Sequence, residues 1–234
     1  MRALILAGGL GTRISEETAD KPKPMVNLRD KPILWHIMNI YAKQGISDFV
    51  IATGYKAEVI SDWVANLVSD WKISLIDTGL ETQTGGRIKH VLDSLPDPKI
   101  FATYGDGVAN IDLSSLIHAH EKGNCLATLT AVHPPARFGY LELEKDKVTR
   151  FGEKNQSDSG WINGGFFVLE REVRNEILDA KEAFELGALP RLAERGELHA
   201  YKHEGFWQPM DTLREKHDLE KMNEGGNPPW LQGL

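Results

Sequence analysis

The sequence predicts an α/β fold: a mostly parallel central sheet with helices on both faces, plus a small antiparallel extension. Three observations carry that prediction. Arg2 to Ala7 is a continuous apolar run of strand length, the pattern of a strand buried on both faces of a sheet. Strand-like and helical patterns then alternate as far as Val132, which implies right-handed crossovers and parallel strands. Beyond that point, short strand-like runs follow one another across turn residues, as in antiparallel structure.

Taken in order, Pro32 to Gln44 reads as a helix. Pro32 suits its first turn, Ile33, Leu34, Ile37, Ile40 and Tyr41 share one face, and Gly45 supplies the stop. Asp48–Thr53 is strand-like. Lys56–Leu67 is helical, with Val59, Ile60, Trp63, Val64 and Leu67 at helical spacing. Lys72–Ile76 (strand), Gly86–Leu95 (helix), Lys99–Tyr104 (strand), Asp112–Glu121 (helix) and Cys125–Val132 (strand) continue the series. Tyr140–Glu144, Val148–Phe151 and Ile162–Leu169 are the expected strands of the extension. Helical segments near Glu172–Asp179 and Lys181–Arg195, a strand at Leu198–His203 and a helix from Asp211 to Asn223 complete the chain.

The chain has 234 residues, 41% of them hydrophobic and 26% charged, so disorder is excluded and one large domain is expected. A single cysteine, Cys125, rules out an intramolecular disulfide framework and a cysteine zinc site. No apolar run reaches the ~18 residues a membrane span needs. The apolar start is too short for a signal-peptide core, so a reducing, cytoplasmic setting without membrane partners is expected. With 27 Lys+Arg against 34 Asp+Glu, the net charge of −7 argues against a nucleic acid partner. A local cationic pocket is still compatible with it. Residues 1–31 hold six basic residues against four acids, a local +2.

On parallel sheets, ligands bind beyond the carboxyl ends of the strands. The loop after the first strand is Gly8-Gly9-Leu10-Gly11-Thr12-Arg13. Its glycines let backbone N–H groups approach phosphate oxygens closely. Ile14 breaks the dinucleotide fingerprint, weakening a nicotinamide dehydrogenase reading, and no Gly-Lys-Ser/Thr follows to make a Walker A loop. A tight turn is the plain alternative, but a turn does not call for Arg13 behind the glycines. Asp20-Lys21-Pro22-Lys23-Pro24-Met25 comes next, and its alternating prolines are expected to hold an extended arm aiming Lys23.

Leu6 to Arg13, with Thr18 and Pro22-Lys23-Pro24-Met25, resembles the signature of the sugar-1-phosphate nucleotidylyltransferases. Thr103-Tyr104-Gly105-Asp106-Gly107, Pro134 to Gly139, Ile162 to Phe167 and Gly205 to Thr212 are similar to the glucose-1-phosphate cytidylyltransferase branch, so the likeness runs from residue 1 to about 220. The resemblance implies the Rossmann-like fold of the nucleotide-diphospho-sugar transferases. It implies one domain over 1–234, with a nucleotide-binding half (1–110) and a sugar-phosphate-binding half (111–234).

It also implies a reaction. A phosphate oxygen of a sugar 1-phosphate displaces pyrophosphate from the α-phosphorus of a nucleoside triphosphate, CTP being favoured, with Mg²⁺ as cofactor. The nucleophile is already an anion, so positioning, cations and metal carry the chemistry. By resemblance, Leu6, Ala7, Gly8, Gly9, Gly11 and Thr12 would hold the nucleotide, with Arg13 and Lys23 as catalytic groups on its phosphates. Gln83, Thr84, Gly85 and Gly86 match the base-recognition segment. Asp106 and Asp211 match the metal positions, and Asp106 also the nucleotide site. Read alone, Asp106-Gly107 is equally a turn and Asp211 a helix N-cap. Arg137, Gly139, Glu153, Lys154, Asn163 and Gly164 match the sugar-phosphate half. Trp207 is expected in the core or against the sugar.

Two departures stand out. Only Val68 to Ile76 separates the helix ending near Leu67 from Asp77, where the branch carries a longer segment; and Asn155 stands where the family usually has proline. Alternatives are guanylyl or uridylyl transfer to a heptose or amino sugar 1-phosphate, and a non-catalytic nucleotide-sensing subunit of the same fold. The apolar tail Pro228-Pro229-Trp230-Leu231 is expected to pack on a neighbour, making a homo-oligomer, or on its own body.

Overall fold

A computed structural model describes residues 1–135, 139–153 and 160–234, and their side chains except at 139–143 and 150–153. Strand β1 (Ala3–Leu6) is buried throughout and feeds the glycine loop, a 3-10 turn at Thr12–Ile14 and a one-turn helix α1 (Ser15–Thr18). The Lys-Pro segment forms a 3-10 turn at Lys23–Met25, not the fully extended arm expected, although Pro22, at ψ 153, is extended. A ribbon of β2 (Asn27–Leu28) and β3 (Lys31–Pro32) leads into α2 (Ile33–Ala42). Then come β4 (Asp48–Thr53), α3 (Ala57–Ala65), β5 (Lys72–Asp77), α4 (Thr84–Ser94), β6 (Lys99–Tyr104), β7 (Gly107–Ala109), α5 (Leu113–Gly123) and β8 (Ala127–Val132). The chain continues through β9 (Gly139–Glu144), β10 (Lys147–Glu153), β11 (Ile162–Glu170), α6 (Ala188–Glu194), β12 (Leu198–Lys202), β13 (Trp207–Pro209) and α7 (Leu213–Met222).

The central sheet has seven strands in the order β12-β8-β11-β6-β1-β4-β5. All neighbouring pairs are parallel except those of β11, which runs antiparallel between β6 and β8. This corrects the placement of Ile162–Leu169. Its run Gly165-Phe166-Phe167-Val168-Leu169 is apolar on both faces, so it belongs inside the main sheet, and the extension is the β9–β10 hairpin. The segment Glu172–Asp179 is a 3-10 helix over Arg171–Glu176, and the long helix expected at Lys181–Arg195 shortens to α6. Residues 181–187 are turns instead, because their backbone packs on the first turn of α4.

Strand β1 shows why both faces had to be apolar. Ala3, Ile5 and Ala7 enter one hydrophobic cluster with Ile37, Tyr41 and Phe49; Leu4 and Leu6 enter the other with Ile88, Val91 and Phe184. Parallel pairing leaves the loops after β1, β4, β5 and β6 at one end of the sheet. Among the described residues, no helix is long and apolar enough to cross a membrane.

The tail packs on the chain's own body. Trp230 is fully buried, its ring 5.5 Å from that of His36 and 6.0 Å from that of Phe206. Burial lowers the pKa of His36 to about 4. The unfolded chain therefore binds more protons than the native one between about pH 4 and 6.5, and stability falls as pH drops through that window. His36 accounts for about 3 kcal/mol of this loss. In urea unfolding at pH 7 and pH 4.5, His36→Gln should show a shallower decline than the parent chain; identical declines would contradict this.

Candidate active site

A cavity of about 1210 Å³ opens at the carboxyl ends of the parallel strands. The glycine loop forms one wall. Gly11 sits at φ +64, a conformation side chains rarely adopt, and turns the chain so that Arg13 returns over the cavity. Leu6 to Arg13 all line it, among them the residues that the resemblance assigns to the nucleotide and its phosphates: Leu6, Ala7, Gly8, Gly9, Gly11, Thr12 and Arg13.

Lys23 lies on the floor, only 6% exposed, because the turn at Lys23–Met25 directs its side chain inward. Its ammonium donates to Asp106 Oδ2 at 2.7 Å and to Asp211 Oδ1 at 2.6 Å. The two aspartates are 105 positions apart, and a two-stranded ribbon brings them together. In it β7 pairs with β13, Pro209 opposite Gly107, and the N–H of Met210 donates to the Asp106 carbonyl. Helix α7 completes the arrangement. Thr212, not Asp211, is its N-cap, in a capping box with Glu215. The Glu215 carboxylate accepts from the Asp211 N–H at 2.7 Å, so the backbone is held and the Asp211 carboxylate is left to face Lys23. Arg13, largely exposed at the rim, donates to the second oxygen of Asp211.

Two cations and two carboxylates thus meet at one point, mutually neutralised and ready to exchange partners with a polyanion. The carboxylates are hard oxygen donors that converge on one atom. Among the described residues, no group of three or more His, Cys, Asp or Glu is built to hold a metal. A pair of carboxylates fits Mg²⁺, which keeps several waters and takes phosphate oxygens as its remaining ligands.

Gln83 and Thr84, assigned by resemblance to base recognition, also line the cavity. Gly85 and Gly86, expected beside them, are buried against another segment. A Cβ on Gly85 would lie 2.6 Å from the Glu182 carbonyl, and one on Gly86 2.3 Å from the Ala180 carbonyl, so these glycines serve close packing of α4. Asn163 lines the cavity, whereas Gly164 packs on Val132 and accepts a 2.7 Å hydrogen bond from Trp207 Nε1. Trp207 is half-buried and lines the cavity. Glu153 and Gly139 pair opposite one another in the β9–β10 hairpin. Arg137 and Lys154 lie outside the described residues, as do the side chains at 139 and 153.

Among the cavity residues to which sequence reasoning gave no role are Arg87, Tyr104 and Glu185. Arg87 sits 3% exposed on the apolar face of α4, four residues before Val91, and a cation on such a face was the available signal. Its guanidinium donates to the carbonyls of Gly8 (2.8 Å), Thr53 (2.9 Å) and Gly79 (2.9 Å) and to the Thr78 hydroxyl. It ties the loops after β1, β4 and β5 together. Gly8 and Gly54 are glycines for its sake: a Cβ on either would lie 2.1 or 2.5 Å from Nη1. Burial pulls the pKa of Arg87 below its ordinary value, and the charge of Asp77 partly offsets this. Replacing Arg87 with Leu leaves the Gly8 carbonyl with the Tyr55 N–H and the Thr53 carbonyl with Thr78, but takes the donor from the Gly79 carbonyl, a loss of about 1–3 kcal/mol. Urea unfolding should show a loss of at least ~1 kcal/mol for that variant, and an unchanged stability would contradict the strut role.

The family model for nucleotidyl transferases matches residues 2–217 of this sequence. The chain belongs to the nucleotidyl transferase family. The glucose-1-phosphate cytidylyltransferase of Salmonella typhi is 47% identical to this transferase, covering 98% of each chain. Its alignment spans 253 positions against 234 residues here, so part of it faces gaps in this transferase. The D-glycero-alpha-D-manno-heptose 1-phosphate guanylyltransferase of Campylobacter jejuni is 37% identical over 79% of this transferase and 83% of its own length. Among solved structures, HddC from Yersinia pseudotuberculosis complexed with GMP-PN superposes with a TM-score of 0.75 at 26% identity, covering 94% of this transferase and 98% of that chain.

Proposed function

We propose that this transferase couples CTP to glucose 1-phosphate, giving CDP-glucose and pyrophosphate. The observation that carries the reading is the Lys23–Asp106–Asp211 cluster on the cavity floor beside the glycine loop. The 47% identity to a glucose-1-phosphate cytidylyltransferase supports the choice of base and sugar. Residues 1–110 would hold the nucleotide and residues 111–234 the sugar phosphate.

In this reading, backbone N–H groups of Gly8 to Thr12 cradle the triphosphate, and Gln83 and Thr84 face the base. Lys23 leaves its carboxylates for the reacting phosphates, holding the incoming phosphate oxygen and the α-phosphate in one cluster. Arg13 leaves Asp211 in the same way and neutralises charge on the departing pyrophosphate. Asp106 and Asp211, released from the cations, would hold Mg²⁺. That ion supplies a Lewis acid on the phosphate oxygens and carries the charge that grows in the transition state. Asn163 offers its amide to sugar hydroxyls. The new P–O bond forms as the bond from the α-phosphorus to the β-bridging oxygen breaks, and no side chain has to take a proton.

Pyrophosphate release measured over CTP, UTP and GTP, each with glucose, heptose and amino sugar 1-phosphates, tests the reading. CTP with glucose 1-phosphate is expected to turn over fastest. A faster guanylyl or uridylyl pair would replace the substrate assignment, and no turnover with bound triphosphate would favour a nucleotide-sensing role.

A further inference from the structure

The cavity wall carries one acid that the proposed reaction leaves unused. Glu185 lies between residues 181–187, which hug the start of α4, and its carboxylate has no ion-pair partner among the described residues. Two hydroxyls donate to it. Thr84 Oγ1 does so at 2.7 Å, its own position set by a 2.9 Å bond from the Phe184 N–H. The Tyr104 hydroxyl donates to the other carboxylate oxygen. Having spent its proton there, that hydroxyl presents a lone pair, which accepts from Asn163 Nδ2 at 3.1 Å. Asn163 Oδ1 in turn accepts from the Gly165 N–H at 2.9 Å. Every direction in this chain is determined: a carboxylate only accepts and a backbone N–H only donates, so the amide of Asn163 cannot flip without losing both bonds. Burial first, and the adjacent Glu185 charge second, push Tyr104 well above the usual phenol range, which keeps its proton in place.

We propose that Glu185 is a positioning residue that orients the amide of Asn163 through Tyr104. The inference rests on the sugar-side role given to Asn163 above. Its effect is to leave one fixed amide N–H of Asn163 pointing at the substrate, so that sugar recognition depends on a carboxylate the sugar need not touch. The hydrogen-bonding pattern, not the charge, does this work. Glutamine can reproduce it, with its oxygen accepting from Tyr104 and its amide donating to the Thr84 hydroxyl; leucine cannot.

The test compares Glu185→Leu, Glu185→Gln, Tyr104→Phe and the Leu/Phe double variant. Two readouts apply: the side-chain amide NMR signal of Asn163, assigned with Asn163→Ala, and the KM for each substrate. Glu185→Leu and Tyr104→Phe should both shift the Asn163 signal and raise the KM for the sugar 1-phosphate at least ~10-fold, with the triphosphate KM within ~3-fold. Glu185→Gln should stay within ~3-fold throughout, and the double variant should be no worse than the worse single one. An unmoved Asn163 signal in Glu185→Leu, equal losses in the Gln and Leu variants, or parallel rises in both KM values would overturn the proposal. An Asn163 signal that responds as expected, in a chain that makes no product from CTP and glucose 1-phosphate, would uphold the relay and remove the substrate assignment instead.

Discussion

Lys23→Ala is expected to lower turnover by at least ~10²-fold, the loss that follows when one preorganised electrostatic contact to a transition state disappears. Lys23 is a buried cation whose ammonium touches both cavity aspartates, so its removal has two consequences. The reacting phosphates lose the point charge that would span them. Asp106 and Asp211 would also keep, among the described residues, only the ion pair of Asp211 with Arg13, which leaves the cavity floor more repellent to polyanions. The same substitution removes one partner of a buried ion cluster and lowers stability, so turnover has to be read on protein shown to be folded at the assay temperature. Lys23→Arg separates the two effects. It keeps a positive charge near the aspartates but replaces a compact ammonium with a planar fork, and should recover stability while leaving turnover low. Normal rates in folded Lys23→Ala would contradict the role.

Asp106→Asn is the second large effect, again at least ~10²-fold in turnover. The change keeps shape and one acceptor oxygen but removes the charge. The Mg²⁺ concentration giving half-maximal rate should rise along with the loss of rate, since one of two hard donors is weakened. Asp211→Asn should differ in kind. Asp211 accepts from both Lys23 and Arg13, so its loss also frees the Arg13 side chain at the rim, and the KM for the triphosphate should change more than in Asp106→Asn. A titration of rate against Mg²⁺ for the three proteins checks this. Superimposable curves would sink the assignment of the two aspartates to the metal.

The parts of this site that were legible in the sequence are those with a local cause. A glycine loop after a doubly buried strand, and a Lys set between prolines, are patterns within a few residues. Strand β1 shows its burial by being apolar at every position, and α2 shows its face by spacing. The illegible parts depend on pairing across long stretches of chain. Nothing near Asp106 says that β7 pairs with β13, which is what sets the two aspartates side by side. The placement of β11 was misread because a strand following a hairpin looks like its continuation; it is antiparallel as expected, but its doubly apolar run puts it in the main sheet. Glu185 was hidden by a helical pattern over residues 181–195, whose first half is drawn into turns by the backbone carbonyls that Gly85 and Gly86 admit. Arg87 directly follows the glycines of the Gln83–Gly86 segment, and only the structure reveals that its guanidinium binds three loops together.

The most direct measurement is a phosphorus-31 NMR spectrum of the wild-type chain incubated with CTP, glucose 1-phosphate and Mg²⁺. The account predicts loss of the three triphosphate signals and of the sugar monophosphate signal, with growth of the paired diphosphate signals of CDP-glucose and of pyrophosphate in equal amounts. An unchanged spectrum, or cleavage of CTP without consumption of the sugar phosphate, would contradict it.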